Sequence, residues 1–326
     1  MSKGTSARGA ALRAWAAKKA ESYRPETQVR QVRALQKAYA GDKGPDLLVF
    51  GDSVLVWAAP NDADRRSLIQ MVADGLGGTS VHTIVGPCYN PRIVMAFLEV
   101  LRTSRSRPKA VIVPTSVMMA TEAWGTHPIA GYIRESPAIV EIAQNPGDKR
   151  RTIPHATPED WEEWDRKPAP SLIGQKRTNG EQRFLFYAIP AYGTQLPTTK
   201  WQTLVRLRQM TDFTNAERLE PDSPGVLEIT ELAERLDELG LPGVGYIPPC
   251  NYEVVYKLLR ADAEEHLKRN SQIVVDAFHS PSGHTSVVDG TFNSPQSEFG
   301  DPIHVSEKGR LRLAERFVTE LLPYFG

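Results

Sequence analysis

The sequence predicts an α/β fold: a three-layer α/β/α domain around a central parallel sheet of about five strands. Two observations carry this prediction. Short apolar runs of strand length end in turn residues, and between them lie longer segments whose apolar residues recur at helical spacing. Strand, helix, strand, helix, strand at that interval is what a parallel sheet with crossover helices requires.

In chain order, residues 5–40 read as one or two surface helices, with Leu12, Trp15 and Ala16 on one stripe and Arg and Lys elsewhere. Residues 47–50 are a short apolar run ended by Gly51-Asp52, a buried strand that delivers Ser53 at the sheet's edge. Residues 62–76 carry Leu68, Ile69, Val72 and Leu76 at helical spacing, closed by Gly77-Gly78. Residues 81–85 give a second strand, Pro91 starts an amphipathic helix through Leu101, and residues 109–113 give a third strand ended at Pro114.

The pattern loosens between 118 and 223, where Trp161, Trp164 and Trp201 stand among Pro-rich and charged stretches and a strand is expected at 184–189. So long a stretch is not expected to be structureless, and a lid or small subdomain follows. Regularity returns with a helix at 226–239, a strand at 244–247, a helix at 252–267 capped by Asn251, and a last core strand at 272–275. A Gly-, Ser- and Pro-rich loop over 280–300 then delivers Asp301 and His304, and 306–322 forms the closing helix. The expected organisation is an N-terminal helical segment (1–45), a core from 46–117 and 224–326, and a large insertion (118–223).

Composition excludes several classes. Lys plus Arg and Asp plus Glu balance at 39 each, so no global field selects nucleic acid or an anionic surface. Cys88 and Cys250 are too few for a disulfide framework and have no metal-ligand spacing. His279 and His284 with Asp276 and Asp289 match no ligand motif either, and a polar loop explains them as well. No stretch approaches the roughly 20 apolar residues of a membrane span, and the N-terminus lacks the apolar segment of a secretory signal. A soluble, cytoplasmic protein without a cofactor is expected.

The chemistry lies in Ser53 and His304. A serine hydroxyl is a poor nucleophile until a base takes its proton, and histidine does this near neutral pH. Asp301, three residues before His304, is placed to orient the imidazole. The bland readings are a helix N-cap for Ser53 and Asp301 and a surface loop residue for His304. Asp52 reads as a turn residue bonding its own backbone, or as part of the pocket. Trp57, Trp124 and Asn251 are pocket-lining candidates, with a core role equally open for the tryptophans.

Gly51-Asp52-Ser53 at a strand end resembles the first sequence block of the SGNH hydrolases, the GDSL esterase and lipase superfamily. Asp301-x-x-His304, followed by Ser306, Gly309 and an amphipathic helix, resembles the last block. The resemblance spans 46–116 and 243–322 and implies a flavodoxin-like parallel sheet, with Ser53 as nucleophile, His304 as general base and Asp301 as orienting acid. It further implies acyl-ester chemistry on a small ester or thioester.

The family's oxyanion hole uses a glycine amide and an asparagine side chain, and here the sequence departs. Gly86 in Gly86-Pro87-Cys88-Tyr89-Asn90-Pro91 is placed for the glycine, but Pro114-Thr115-Ser116-Val117 stands where the family reads Gly-x-Asn-Asp. Candidate donors are the Ser53 amide, the Thr115 or Ser116 hydroxyl, and Asn90, whose plain alternative is to start the helix at Pro91. Members lacking the middle asparagine include the D-alanyl transfer protein and the sugar O-acetyltransferases. The resemblance therefore leaves open a hydrolase, an acyltransferase using an unknown carrier or acceptor, or a catalytically silent binding module.

Overall fold

The computed structural model describes residues 26–58, 62–168, 178, 217–259, 262–300 and 303–326. Five strands, β1 (Leu47–Gly51), β2 (Val81–Val85), β3 (Ala110–Pro114), β4 (Gly243–Ile247) and β5 (Thr285–Asp289), form one sheet in the order β2-β1-β3-β4-β5. Every neighbouring pair is parallel. This is the 2-1-3-4-5 order of flavodoxin-like sheets, whose ligands lie beyond the carboxyl ends of the strands where the order reverses, here between β1 and β3.

The helices, in chain order, are α1 (Glu26–Ala38), α2 (Ser53–Val56), α3 (Leu68–Gly75), α4 (Pro91–Arg102), α5 (Val117–Ala120) and α6 (Glu122–Gly125), then α7 (Glu135–Gln144), α8 (Pro158–Arg166), α9 (Pro224–Glu238), α10 (Tyr252–Leu259), α11 (Ala263–Ala277) and α12 (Glu307–Leu321). A parallel sheet must be covered on both faces. Leu48, Phe50, Val111 and Val113 point to one face, with Phe97 of α4, Ile139 of α7, Ile229 of α9 and Val274 of α11. Leu47, Val49, Ile112 and Val244 point to the other, with Leu68 and Val72 of α3 and Phe317 of α12. The period-two alternation of each strand thus feeds two separate cores. The central strands β1, β3 and β4 are buried along their length, while the edge strands β2 and β5 keep partly exposed residues.

Helix starts follow from local chemistry. Asn90 caps α4 with Pro91 at its first position, Ser67 and Gln70 form a capping box on α3, and Thr157 and Asp160 do so on α8. α3 begins at Leu68, later than the sequence suggests, because Ser67 offers the better cap. Of the helices expected over 5–40, residues 26–38 form α1, which docks through Val29, Val32 and Leu35 into the first core with Ile139, Ile142 and Leu219; Leu12, Trp15 and Ala16 lie outside the described residues.

Three expectations near the C-terminus are corrected. Residues 272–275 are not a strand; they lie inside α11, whose apolar residues Leu267 and Val274 and buried Asn270 and Ser271 share its inner stripe. The fifth strand is β5, inside the expected loop, where Thr285 and Val288 are buried against β4. The helix expected over 252–267 is split into α10 and α11. The strand expected at 184–189, with Trp201, lies outside the described residues. Among the described residues, no helix is long and apolar enough to cross a membrane.

Candidate active site

Because all five strands are parallel, every segment the sequence singled out leaves the sheet at the same edge. Asp52 and Ser53 follow β1, Gly86 to Asn90 follow β2, Thr115 and Ser116 follow β3, and Asn251 follows β4. α2 starts at once because Asp52 caps it: its carboxylate accepts the Val54 N–H at 2.9 Å. Ser53 therefore sits at the first helical position, exposed, on a strand-to-helix turn.

The His304 side is built by a tight return of the chain. Phe299 and Val305 form an antiparallel bridge, the Gly300 N–H donates to the His304 carbonyl at 2.9 Å, and the Ser306 N–H donates to the Glu298 carbonyl at 2.6 Å. This turn carries the imidazole to Ser53: His304 Nε2 lies 2.9 Å from Ser53 Oγ, across 251 residues of sequence. The Trp57 ring stacks on the imidazole, with centroids 4.6 Å apart and planes inclined by 27°. Trp57 is held at the end of α2 by its N–H, which donates to the Ser53 carbonyl at 2.8 Å. Asp301 lies outside the described residues.

Beneath Ser53 is a buried polar pair that the sequence reading missed. Asp52 is 7 % exposed, and its Oδ1 also accepts from the Tyr246 hydroxyl at 3.3 Å. Asp52 thus faces the protein rather than an open pocket. Burial raises its carboxyl above the ordinary range, opposed by the Val54 N–H, the Tyr246 hydroxyl and the nearby His304. Tyr246, 2 % exposed, is pushed well above the usual phenol by burial and then by the Asp52 charge. A tyrosine near the end of a central, otherwise apolar strand was the only signal of this pair.

The expected oxyanion donors fare unequally. The Gly86 N–H continues the β1–β2 ladder, donating to the Gly51 carbonyl at 3.0 Å, and is not free to point at a substrate. Asn90, 1 % exposed, is fully engaged: Oδ1 accepts the Ile93 N–H at 3.2 Å, and Nδ2 donates to the Ala130 carbonyl at 2.9 Å and the Gly131 carbonyl at 3.4 Å. It is the N-cap that starts α4 at Pro91. Ser116 Oγ caps α5 by accepting the Met119 N–H at 3.3 Å, which leaves its own proton available. Thr115 Oγ1 is buried with no hydrogen-bond partner among the described residues, and the same holds for Asn251 Oδ1. The Ser53 amide is among the N–H groups that the start of a helix leaves without an intrahelical acceptor.

Cys88, at a positive φ of 51°, follows Gly86 in the same loop. Its enclosed position, and then the Asp52 charge, push its thiol up to about 12. Burial does the same to Cys250. Neither forms the thiolate that a cysteine nucleophile needs near neutral pH. Trp124 packs at a tilt on His127, which in turn meets Trp161 and Trp164 edge-on. Asp276 is taken by Gln272 and Asp289 by Ser271 and Thr291, and among the described residues no group of three or more His, Cys, Asp or Glu is arranged to hold a metal. No protein-family model matches the chain, and no curated protein matches it.

Proposed function

We propose that the chain is a serine-dependent acyl-ester hydrolase of the SGNH type, acting through an acyl-enzyme on a small ester or thioester. The observation that carries this reading is the 2.9 Å approach of His304 Nε2 to Ser53 Oγ at the carboxyl edge of the sheet. The strand order and the position beside the β1/β3 switch point support it, since that crevice is where such sheets place ligands. In the reaction, the Ser53 hydroxyl donates its proton to Nε2, which requires the tautomer protonated at Nδ1, and Oγ attacks the carbonyl. His304 then returns the proton to the leaving alcohol or thiol. Water, deprotonated by the same imidazole, releases the acyl group and regenerates Ser53.

Asp301 is assigned the orienting role at Nδ1. The oxyanion falls to the Ser53 amide and the Ser116 hydroxyl, because Gly86 and Asn90 are engaged elsewhere. The loss of one such donor costs a hydrolase about 10²- to 10³-fold in turnover. The second reading is transfer of the acyl group from the same acyl-enzyme to a hydroxyl or amine acceptor better held than water. The free cysteines fit a reducing, cytoplasmic setting.

A fluorophosphonate probe tests the proposal. The wild type labels at Ser53, and labelling vanishes in Ser53→Ala and His304→Ala. A folded wild type that remains unlabelled points instead to a binding module. Turnover of a short-chain nitrophenyl ester in water alone separates hydrolysis from acceptor-dependent transfer.

A further inference from the structure

We infer that Arg310 and Glu307 of α12 are positioning residues that hold the Ser53 and His304 arms of the site in register, an inference that rests on the acyl chemistry proposed at Ser53. Arg310 is a cationic side chain only 1 % exposed. Burying a guanidinium is costly unless its donors are satisfied, and an apolar side chain of similar size would fill the space at less risk. The partners it has gained are therefore informative.

Arg310 Nε donates to the Arg66 carbonyl at 3.2 Å, and Nη2 to the Asp64 carbonyl at 2.7 Å. Its Nη1 donates to Asp62 Oδ2 at 2.6 Å and to the Val305 carbonyl at 3.4 Å. Glu307, one turn earlier, grips the same segment from its amide side: Oε2 accepts the N–H groups of Ala63 and Asp64, both at 3.1 Å. Residues 62–66 belong to the connection that leaves Ser53 through Trp57, and Val305 directly follows His304. The first turns of α12 thus tie the nucleophile's connection to the base's own loop. The stack of Trp57 on His304 is a second point of contact between the same two arms.

Only the planar, five-donor fork can reach three carbonyls and a carboxylate at once, so lysine is no substitute despite its charge. Loosening the tie lets the Ser53–His304 separation drift, and about 1 Å of misplacement costs on the order of 10²-fold in rate. The ground-state affinity for a small probe is untouched, because none of these groups reaches the exposed Ser53.

The test measures saturating fluorophosphonate inactivation of the wild type, Arg310→Lys and Val318→Ala. Val318 lies on the same helix and packs where a side chain on Gly75 would stand, so its variant loosens α12 against α3 without touching the tie. Expected are a limiting rate about 10- to 100-fold lower in Arg310→Lys, with half-saturation within about threefold, and a wild-type rate in Val318→Ala. A folded Arg310→Lys protein with the wild-type limiting rate overturns the inference, as does an equal loss in Val318→Ala. Should Arg310→Lys fail to fold, Glu307→Ala, on the half-exposed side of the tie, must show at least a tenfold fall or the inference is lost.

If the wild type itself does not label, the acyl reading fails on its own account. The tie is then read from the His304 side-chain NMR correlations, which shift in Glu307→Ala and Arg310→Lys and not in Val318→Ala. Unchanged His304 signals in both tie variants refute the positioning role.

Discussion

Replacing Gly51 by alanine tests whether the seating of α2 sets the geometry of Ser53. A Cβ at Gly51 would stand 2.3 Å from Leu55 Cδ1, 3.1 Å from Leu55 Cγ and 3.4 Å from the Tyr246 hydroxyl. The first distance is too short to persist, and the second is tight enough that Leu55 must give by a few tenths of an ångström. Leu55 is 1 % exposed, within the second core, so it cannot swing into solvent. Either it takes a poor rotamer or α2 moves, and α2 carries Ser53 two residues before Leu55. Overpacking of this kind costs about 1–3 kcal/mol, which a domain with ~5–15 kcal/mol of stability survives. The effect on rate is larger in proportion, since a displacement near 1 Å costs about 10²-fold.

The decisive arm is the pair with Leu55→Ala. Alone, that change removes buried methyls and costs about 2–5 kcal/mol. Combined, the new methyl on Gly51 occupies part of the space vacated, so the double variant should be more stable than the sum of the singles by at least about 1 kcal/mol. Urea unfolding followed by circular dichroism measures the cycle, and probe labelling at Ser53 measures the geometry. Additive stabilities together with a wild-type labelling rate in Gly51→Ala would show that α2 is not wedged in this way.

Tyr246→Phe removes the hydroxyl that lowers the raised Asp52 carboxyl. The native state favours the neutral acid there, so its stabilising contribution is complete below the ordinary carboxylate range and is lost as pH rises through the raised value. Without the hydroxyl the charged form suffers more, and the stability difference from wild type in urea should be larger at pH 8 than at pH 4 by about 1–2 kcal/mol; a constant difference sinks the assignment. Asn90→Ala should cost about 1–3 kcal/mol through the lost cap and the two unpaired carbonyls, yet leave the labelling rate within a few-fold of wild type. A hundredfold slower rate in a folded Asn90→Ala protein would return that side chain to the oxyanion. Trp57→Ala should slow labelling about tenfold with little change in melting temperature, because the imidazole loses the face that fixes its plane; an unchanged rate means that the stack is incidental.

The sheet was legible because each strand's signal is local. Residues 47–51, 110–114 and 243–247 are apolar runs flanked by Gly or Pro and buried along their length, and the edge strand 81–85 keeps Val81, Ile84 and Val85 between Gly78 and Gly86. The fifth strand was missed for the same physical reason. β5 is an edge strand with polar Thr285, Ser286 and Asp289, so its sequence looks like the Ser- and Gly-rich loop around it. The run Gln272-Ile273-Val274-Val275, being β-branched, suggests a strand instead. The helix wins because Leu267, Asn270, Ser271 and Val274 recur at a period near 3.6 and are all buried on one side.

The candidate site divides along a similar line. Ser53 and His304 could be named as candidates from residue type and position, because a hydroxyl and an imidazole carry the same chemistry wherever the chain brings them together, here to 2.9 Å. The donors around them could not, since an amide's role depends on which carbonyl it already serves. Gly86 sits at the end of β2, where a glycine donor is expected, but the parallel ladder runs one residue further than the strand and claims its N–H. Asn90 carries the right functional group, yet the loop at Ala130 and Gly131 folds back over it and takes both amide hydrogens. Arg310 and the contact of Tyr246 with Asp52 could not be read for the converse reason. A lone arginine on an amphipathic helix and a lone tyrosine in an apolar strand are ordinary in sequence, and become informative only through burial against partners roughly 200 or more residues away. Both hold segments adjacent in the chain to Ser53 and His304: Tyr246 donates to Asp52, and Arg310 donates to the Val305 carbonyl.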